Sequence, residues 1–274
     1  LCNIVLDLLL VVVFHLGVLG VAIATVASQL LSAVLVVLSL TRAEGASFQL
    51  FPRSLTIHPQ PFQAILRVGV PTALQSVMYS SSNLFIQAAI NFSGPDAVAA
   101  WTAYGKMDVI FWMTITAMSQ SVTTFAGQNY GAGKYDRLKK GVRVSIGMSA
   151  IITLALSTIM VLFARPILTI FTPDHDVLEI GVSMVRFLAP SYITYILIEL
   201  LSGAIRGAGK SLVPTLITIF GVCGLRLLWL FTMVPVYHTI NMVAASYPIT
   251  WSVTSIALRL YFCFGKWLTP PKEI

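Results

Sequence analysis

Apolar residues fill this chain in long blocks rather than at alternate positions. Eight blocks, at about residues 1–14, 18–40, 63–92, 96–126, 142–164, 177–205, 212–235 and 240–265, are parted by short polar breaks. A helix needs roughly 20 apolar residues to cross the hydrocarbon core of a bilayer. The pattern therefore predicts an all-α polytopic membrane protein with eight transmembrane helices. Several blocks exceed the minimum, so tilting or protrusion is expected.

The breaks are built from glycine, proline and basic residues. "GAIRGAGKSLVP", Gly203 to Pro214, carries the last three positions of a phosphate-binding loop, but Ala204 stands where its first glycine belongs. Such a loop also follows a β-strand, and this stretch joins two apolar helices. It reads instead as a helix end, with Gly207 and Gly209 free to turn left-handed. Arg206 and Lys210 suit the carboxyl end of the helix dipole, and Pro214 falls in the next first turn. "GQNYGAGKYDRLKKG", Gly127 to Gly141, repeats the tetrapeptide after another apolar run. "TPDHDVLEIG", Thr172 to Gly181, reads as a helix start in which Asp176 and Glu179 form a capping box, not as a metal site. The longest polar connection, around residues 41–61, holds Pro52, Pro59, Pro61, Arg42, Glu44 and Arg53 and reads as a linker between two bundles.

Composition agrees with a lipid environment. Of 274 residues, 57% are hydrophobic and 10% charged, with a mean hydropathy of +0.87; soluble domains carry roughly 25% charged residues. The net charge of +7 is gathered on one set of connections. These hold Arg42, Arg53, Arg67, Lys134, Arg137, Lys139, Lys140, Arg143, Arg206, Lys210, Lys266 and Lys272, against Arg165 alone on the other set. Cytoplasmic loops collect Lys and Arg, so these loops and the carboxyl terminus are expected in the cytoplasm, and the charge argues for no nucleic-acid partner. The three cysteines share no metal or redox spacing. The four histidines are scattered without carboxylates at motif spacing, which argues against an enzyme. The chain opens at Leu1 inside an apolar run, which reads as a fragment or a processed form.

Charge inside a membrane defaults to function. Asp7, Lys106, Asp108, Arg186, Glu199, Arg226 and Arg259 are the candidates, with Arg186 and Arg259 placed to snorkel. Lys106 and Asp108 are two apart, face different sides of a helix and each call for a partner on another helix. Asp108 is either a packing ion pair or a cation or proton site. Glu199 stands in "SYITYILIELLSGAIRG" among apolar neighbours. A carboxyl buried there is expected protonated or paired with a cation, as an ion-coupling group or as a structural partner of a basic residue. Gln75, Tyr79, Asn83 and Gln87 form a polar set that either lines a wet cavity or bonds neighbouring helices. Tyr79, Tyr104, Trp112, Tyr192 and Tyr195 can stack on aromatic cations or simply pack. Pro71, Pro190 and Pro248 interrupt three helices. Gly20, Ala24, Ser28 and Ser32 form a small-residue ridge for helix contact.

"NIVLDLLLVVVFHLGVLGVAIATVASQ" at Asn3–Gln29, "GQNYGAGKYDRLKKGVR" at Gly127–Arg143 and "LSGAIRGAGKSLVPT" at Leu201–Thr215 resemble the multidrug and toxic compound extrusion (MATE) family. The resemblance implies two lobes of six helices, of which this chain holds helices five to twelve. Residues 1–40 would end the amino-terminal lobe, 41–61 link the lobes in the cytoplasm, and 62–274 form a complete second six-helix lobe with a cytoplasmic tail. It also implies a plasma-membrane antiporter, monomeric at full length, that exports small organic and often cationic compounds for protons or sodium ions without a resident cofactor. Sodium-coupled relatives carry a carboxylate early in the second lobe, where "PTALQSVMYSSSNLFIQ" has none, so the coupling ion stays unassigned. A lipid-linked saccharide flippase of related architecture, or a non-transporting fragment, remain the alternatives.

Overall fold

The computed structural model describes residues 1–43, 45, 49–51, 56–237 and 239–268. Glu44, Pro52, Arg53, His238 and Lys272 lie outside them, as do the sequence readings that rest on these residues. The described residues form helical rods joined by tight turns, in two compact units, Leu1–Pro59 and Gln60–Ile274.

In the first unit, α1 (Cys2–Asp7) runs into a π turn at Leu8–Val13 and then reverses into α2 (Gly17–Thr41). The reversal uses left-handed backbone at His15 and Gly17. Part of the small-residue ridge does the work expected of it. Ala24 is buried, and a Cβ on Gly20 would lie 3.1 Å from the Leu10 carbonyl carbon. Most other side chains of α2, such as Leu30 and Val34, are exposed and apolar, as lipid-facing residues are. One Asp7 carboxylate oxygen is buried without a hydrogen-bond partner.

The second unit comprises α3 (Pro59–Asn91, entered at Gln60), α4 (Pro95–Gly131), α5 (Tyr135–Leu162), the short α6 (Ala164–Thr169), α7 (His175–Leu188), α8 (Tyr192–Gly207), α9 (Leu212–Thr218), α10 (Leu225–Thr232), α11 (Val234–Tyr237) and α12 (Ile240–Phe264). Five rods in the described chain are long and apolar enough to cross a membrane: Gly17–Thr41, Pro95–Gly131, Tyr135–Leu162, His175–Gly207 and Leu212–Tyr237. The boundaries differ from the apolar blocks where polar turns extend a helix beyond lipid. α5 starts at Tyr135 rather than near 142, because its basic first turns need no hydrocarbon around them. α4, at 37 residues, spans about 55 Å at 1.5 Å per residue, well beyond a ~30 Å core.

α4 and α8 cross at the centre of this unit, and the crossing is made of small residues. A Cβ added to Gly207 would stand 2.4 Å from the Thr123 carbonyl oxygen, and one on Gly203 would stand 2.8 Å from Thr123 Oγ1. Gly127 answers from α4, 3.3 Å from the Gly207 carbonyl by the same measure. Without water to drive association, close backbone approach is how membrane helices gain contact. Gly207 is therefore helical and packed, not left-handed as its sequence context suggested. Gly209 does take the left-handed form, at φ +76°, and so does Gly133, at φ +67°.

The two repeated tetrapeptides close their helices in the same way. Gly133 N–H donates to Tyr130 O and Lys134 N–H to Asn129 O; Gly209 N–H donates to Arg206 O and Lys210 N–H to Ile205 O. Each is a Schellman turn, satisfying carbonyls that the helix end leaves open.

Proline breaks a third rod. Pro190 sits in a 3₁₀ turn, Ala189–Ser191, between α7 and α8, and Ser157 Oγ on α5 donates to the Ala189 carbonyl at 2.6 Å. Pro71 and Pro248 lie inside α3 and α12. At the start of α7 the cap is Asp174, whose carboxylate accepts from the Asp176 and Val177 N–H groups. The predicted capping box was two residues late, and Glu179 turns instead to pair with Arg165.

Candidate functional site

Four rods and the segment after a π turn enclose a cavity of about 900 Å³ within the second unit. Each helix offers it a face by four-residue spacing, which stacks side chains on one side of an α-helix. α3 supplies Gln75, Tyr79, Asn83 and Gln87. α4 supplies Tyr104, Asp108 and Trp112, and α8 supplies Tyr195 and Glu199. α12 adds Tyr247 and Trp251, one on each side of Pro248. All nine candidates named from the sequence for ion coupling or substrate thus line one cavity.

Glu199 has the basic partner expected of it, whereas Asp108 finds its partner on another helix in a tyrosine and not in a cation. Asp108 is buried on α4 and meets no cation. One carboxylate oxygen accepts from the Tyr192 hydroxyl, the other from Trp112 Nε1 one turn along the same helix. Tyr192 Oη also lies 2.7 Å from Tyr104 Oη. Lys106 is exposed on a different face, as the two-residue offset requires. Asp108 is thus held by neutral donors rather than by an ion pair with another helix.

Glu199 bridges two neighbours on α8. Tyr195 Oη donates to its Oε1 at 2.9 Å, and the Arg206 guanidinium stands 3.9 Å from Oε2. The second contact spans seven residues, two helical turns, and both side chains keep some exposure. On α3, Gln75 is buried and accepts from Thr215 Oγ1 at 3.4 Å. Asn83 and Gln87 are exposed, and Gln87 Nε2 donates to Asn91 Oδ1 at 3.0 Å.

Aromatic rings build much of the wall. Trp251 packs against Tyr195, Tyr247, Tyr192 and Trp112, with ring centroids 5.1, 5.3, 6.1 and 6.2 Å away. Phe111 stacks on Tyr192 at 3.9 Å and fixes the ring that holds Asp108. Trp251 and Tyr247 were not singled out from the sequence. Their four-residue spacing around a proline was the available signal. Arg226 was noted only as an intramembrane charge, and it too lines the cavity. The arrangement places two carboxyl groups, two guanidinium groups and flat π faces around one space. It can hold an aromatic molecule and exchange charge with it. Among the described residues no cluster of His, Cys, Asp and Glu is arranged to hold a metal ion.

Comparison with known proteins agrees with this architecture. The chain is 27% identical over 253 residues to the probable multidrug resistance protein YoeA of Bacillus subtilis, covering 91% of this chain and 54% of that protein. It is 26% identical over 260 residues to the probable multidrug resistance protein NorM of Thermotoga maritima, covering 92% and 54%. The chain thus spans about half the length of the curated relatives it matches. Among solved structures it is similar to a MOP superfamily transporter from Pyrococcus furiosus, with TM-score 0.88, 22% identity, and coverage of 96% of this chain and 59% of that one. An outward-facing multidrug resistance MATE family transporter gives TM-score 0.85 at 22% identity over the same shares. These two likenesses speak to the fold. The family model MatE matches residues 71–232, more than half of the sequence and most of the cavity wall, and the chain belongs to that family.

Proposed function

We propose that this chain supplies the ion- and substrate-binding cavity of a secondary active exporter. The exporter expels small organic compounds, often cationic, in exchange for protons or sodium ions. The observation that carries the reading is the meeting of Glu199 and Asp108 in one aromatic-walled space. A carboxyl group inside a bilayer is costly and defaults to transport chemistry. Trp and Tyr faces attract organic cations. Transporter sites typically lie where membrane helices are interrupted, and here α7 and α8 part at Pro190 while a π turn separates α9 from α10. In this reading residues 62–274 form one lobe, residues 41–61 a connection, and residues 1–40 the end of the other lobe.

The test uses everted membrane vesicles holding the full-length protein. A cationic dye should enter them when a proton or sodium gradient is imposed. It should leave when the matching ionophore collapses that gradient. Dye uptake indifferent to both ionophores would refute the exchange mechanism.

The basic loops further support an orientation with the carboxyl terminus in the cytoplasm, and in the same reading the full-length protein acts in the plasma membrane as a monomer. A cysteine placed beside Lys139 should react with an impermeant reagent only after the cells are opened, and one beside Phe92 in intact cells. Labelling of both from the same side would overturn this topology.

A further inference from the structure

Among the described residues, one cation in the cavity wall has no counter-charge. Arg226 lies in the first turn of α10, directly after the π turn Ile219–Gly224. Its side chain is 2% exposed, and its guanidinium carbon lies 4.1 Å from the centroid of the Tyr247 ring. Nε is buried without a hydrogen-bond partner. Among the described residues no carboxylate comes within ion-pair distance of it. The two acids of the cavity are otherwise engaged, Glu199 by Tyr195 and Arg206, Asp108 by Tyr192 and Trp112.

The ring face does not account for the burial. A cation–π contact, even desolvated, offsets only part of the cost of removing an ion from water without a partner. The Tyr79 hydroxyl stands in the same wall, within electrostatic reach of Arg226 and in hydrogen-bonding contact with Tyr195. A guanidinium can only donate, and a phenol hydroxyl donates readily. An unmatched guanidinium beside a phenol is complementary to an oxyanion, which forms the stronger, charge-assisted hydrogen bonds.

We propose that the cavity receives aromatic molecules bearing a carboxylate or phosphate, and that this acidic group docks on Arg226 and Tyr79. The inference rests on the cavity being the substrate site, and it narrows the class of molecule. The ring system lies against Trp251 and Trp112, the acid meets Arg226, and any basic group on the same molecule is left for Glu199 or Asp108. A simple organic cation would leave Arg226 unmatched.

The test compares a rhodamine dye carrying a free carboxylate with the ethyl ester of the same dye. Binding to the purified full-length protein is read by fluorescence polarisation. The free acid should bind about tenfold more tightly than the ester, the order expected of a hydrogen bond to a charged group. R226Q should bring the two affinities within about twofold of each other. R226K should keep part of the preference, and Tyr79→Phe, which removes only a hydroxyl, should reduce it. Equal binding of acid and ester by the wild type would overturn the proposal whatever the variants do, so a failure of R226Q to fold does not shelter it. Folded R226Q that still prefers the acid would overturn it as well. Binding of the ester alone would remove the anion subsite and spare the cavity. Binding of neither dye would remove both.

Discussion

Glu199→Gln in the full-length protein should abolish most gradient-driven export while leaving the protein folded and in the membrane. The substitution keeps the size of the side chain and the hydrogen bond from Tyr195 Oη, since an amide oxygen also accepts. It removes the charge and the proton. The Arg206 contact that it weakens is 3.9 Å long, near the outer limit of an ion pair, and Arg206 keeps some access to solvent. Stability should therefore change little. Coupling between two bound species is a linkage free energy of about 1–3 kcal/mol, or roughly 5–150-fold in affinity. Removing one of two carboxyl groups in the cavity should lower ion-driven dye export by at least about tenfold on that scale. Vesicle uptake measured under an imposed gradient, normalised to protein abundance, is the readout. Export at the wild-type rate would take Glu199 out of the mechanism and leave Asp108 as the carboxyl to test.

The second large effect is structural. Gly207→Val should prevent the second unit from packing, because the new side chain begins 2.4 Å from a backbone oxygen of α4. Overpacking usually costs about 1–3 kcal/mol when flexible side chains can move aside. Here the obstacle is the Thr123 carbonyl, so α4 and α8 must separate along their crossing. The neighbouring glycine gives the control. Gly209 has open space around its Cβ position and a left-handed backbone, which Asn tolerates better than other residues. Gly209→Asn should lower the melting temperature of the purified protein by only a few degrees, on the order of 1 kcal/mol. Gly207→Asn should yield little folded protein. Similar melting curves for the two variants would show that the crossing has more slack than its geometry implies.

These two glycines also mark where the sequence stops being legible. A "GAGK" turn announces a helix end, and at that level Gly207 and Gly209 look alike. Only the opposing helix distinguishes them, and Gly127 and Thr123 are some 80 residues away in the chain. The rods themselves were readable, because burial in lipid demands unbroken apolar runs. Their ends were less so, since the polar first turns of α5 look like loop. The same logic applies to the site. Four-residue spacing placed Gln75, Tyr79, Asn83 and Gln87 on one face, and charge in an apolar run picked out Asp108 and Glu199. The partners of those acids depended on which helices pack together. A hydrogen bond between Tyr192 and Asp108, 84 residues apart, leaves no local signal. Neither does the position of Arg226 over Tyr247.

The π turn at Ile219–Gly224 acts as a register shim. A turn of π-helix takes up one more residue than an α turn, and one residue is about 100° of rotation in an α-helix. Everything carboxyl-terminal to it on that rod, Arg226 included, is therefore swung round by roughly that angle relative to an uninterrupted helix. A relative that lost one residue within this turn would present a different side chain to the cavity while aligning, letter for letter, on either side of the gap. On this rod, then, the set of side chains facing the cavity would change with the loss of a single residue in the turn as surely as with a substitution in the wall.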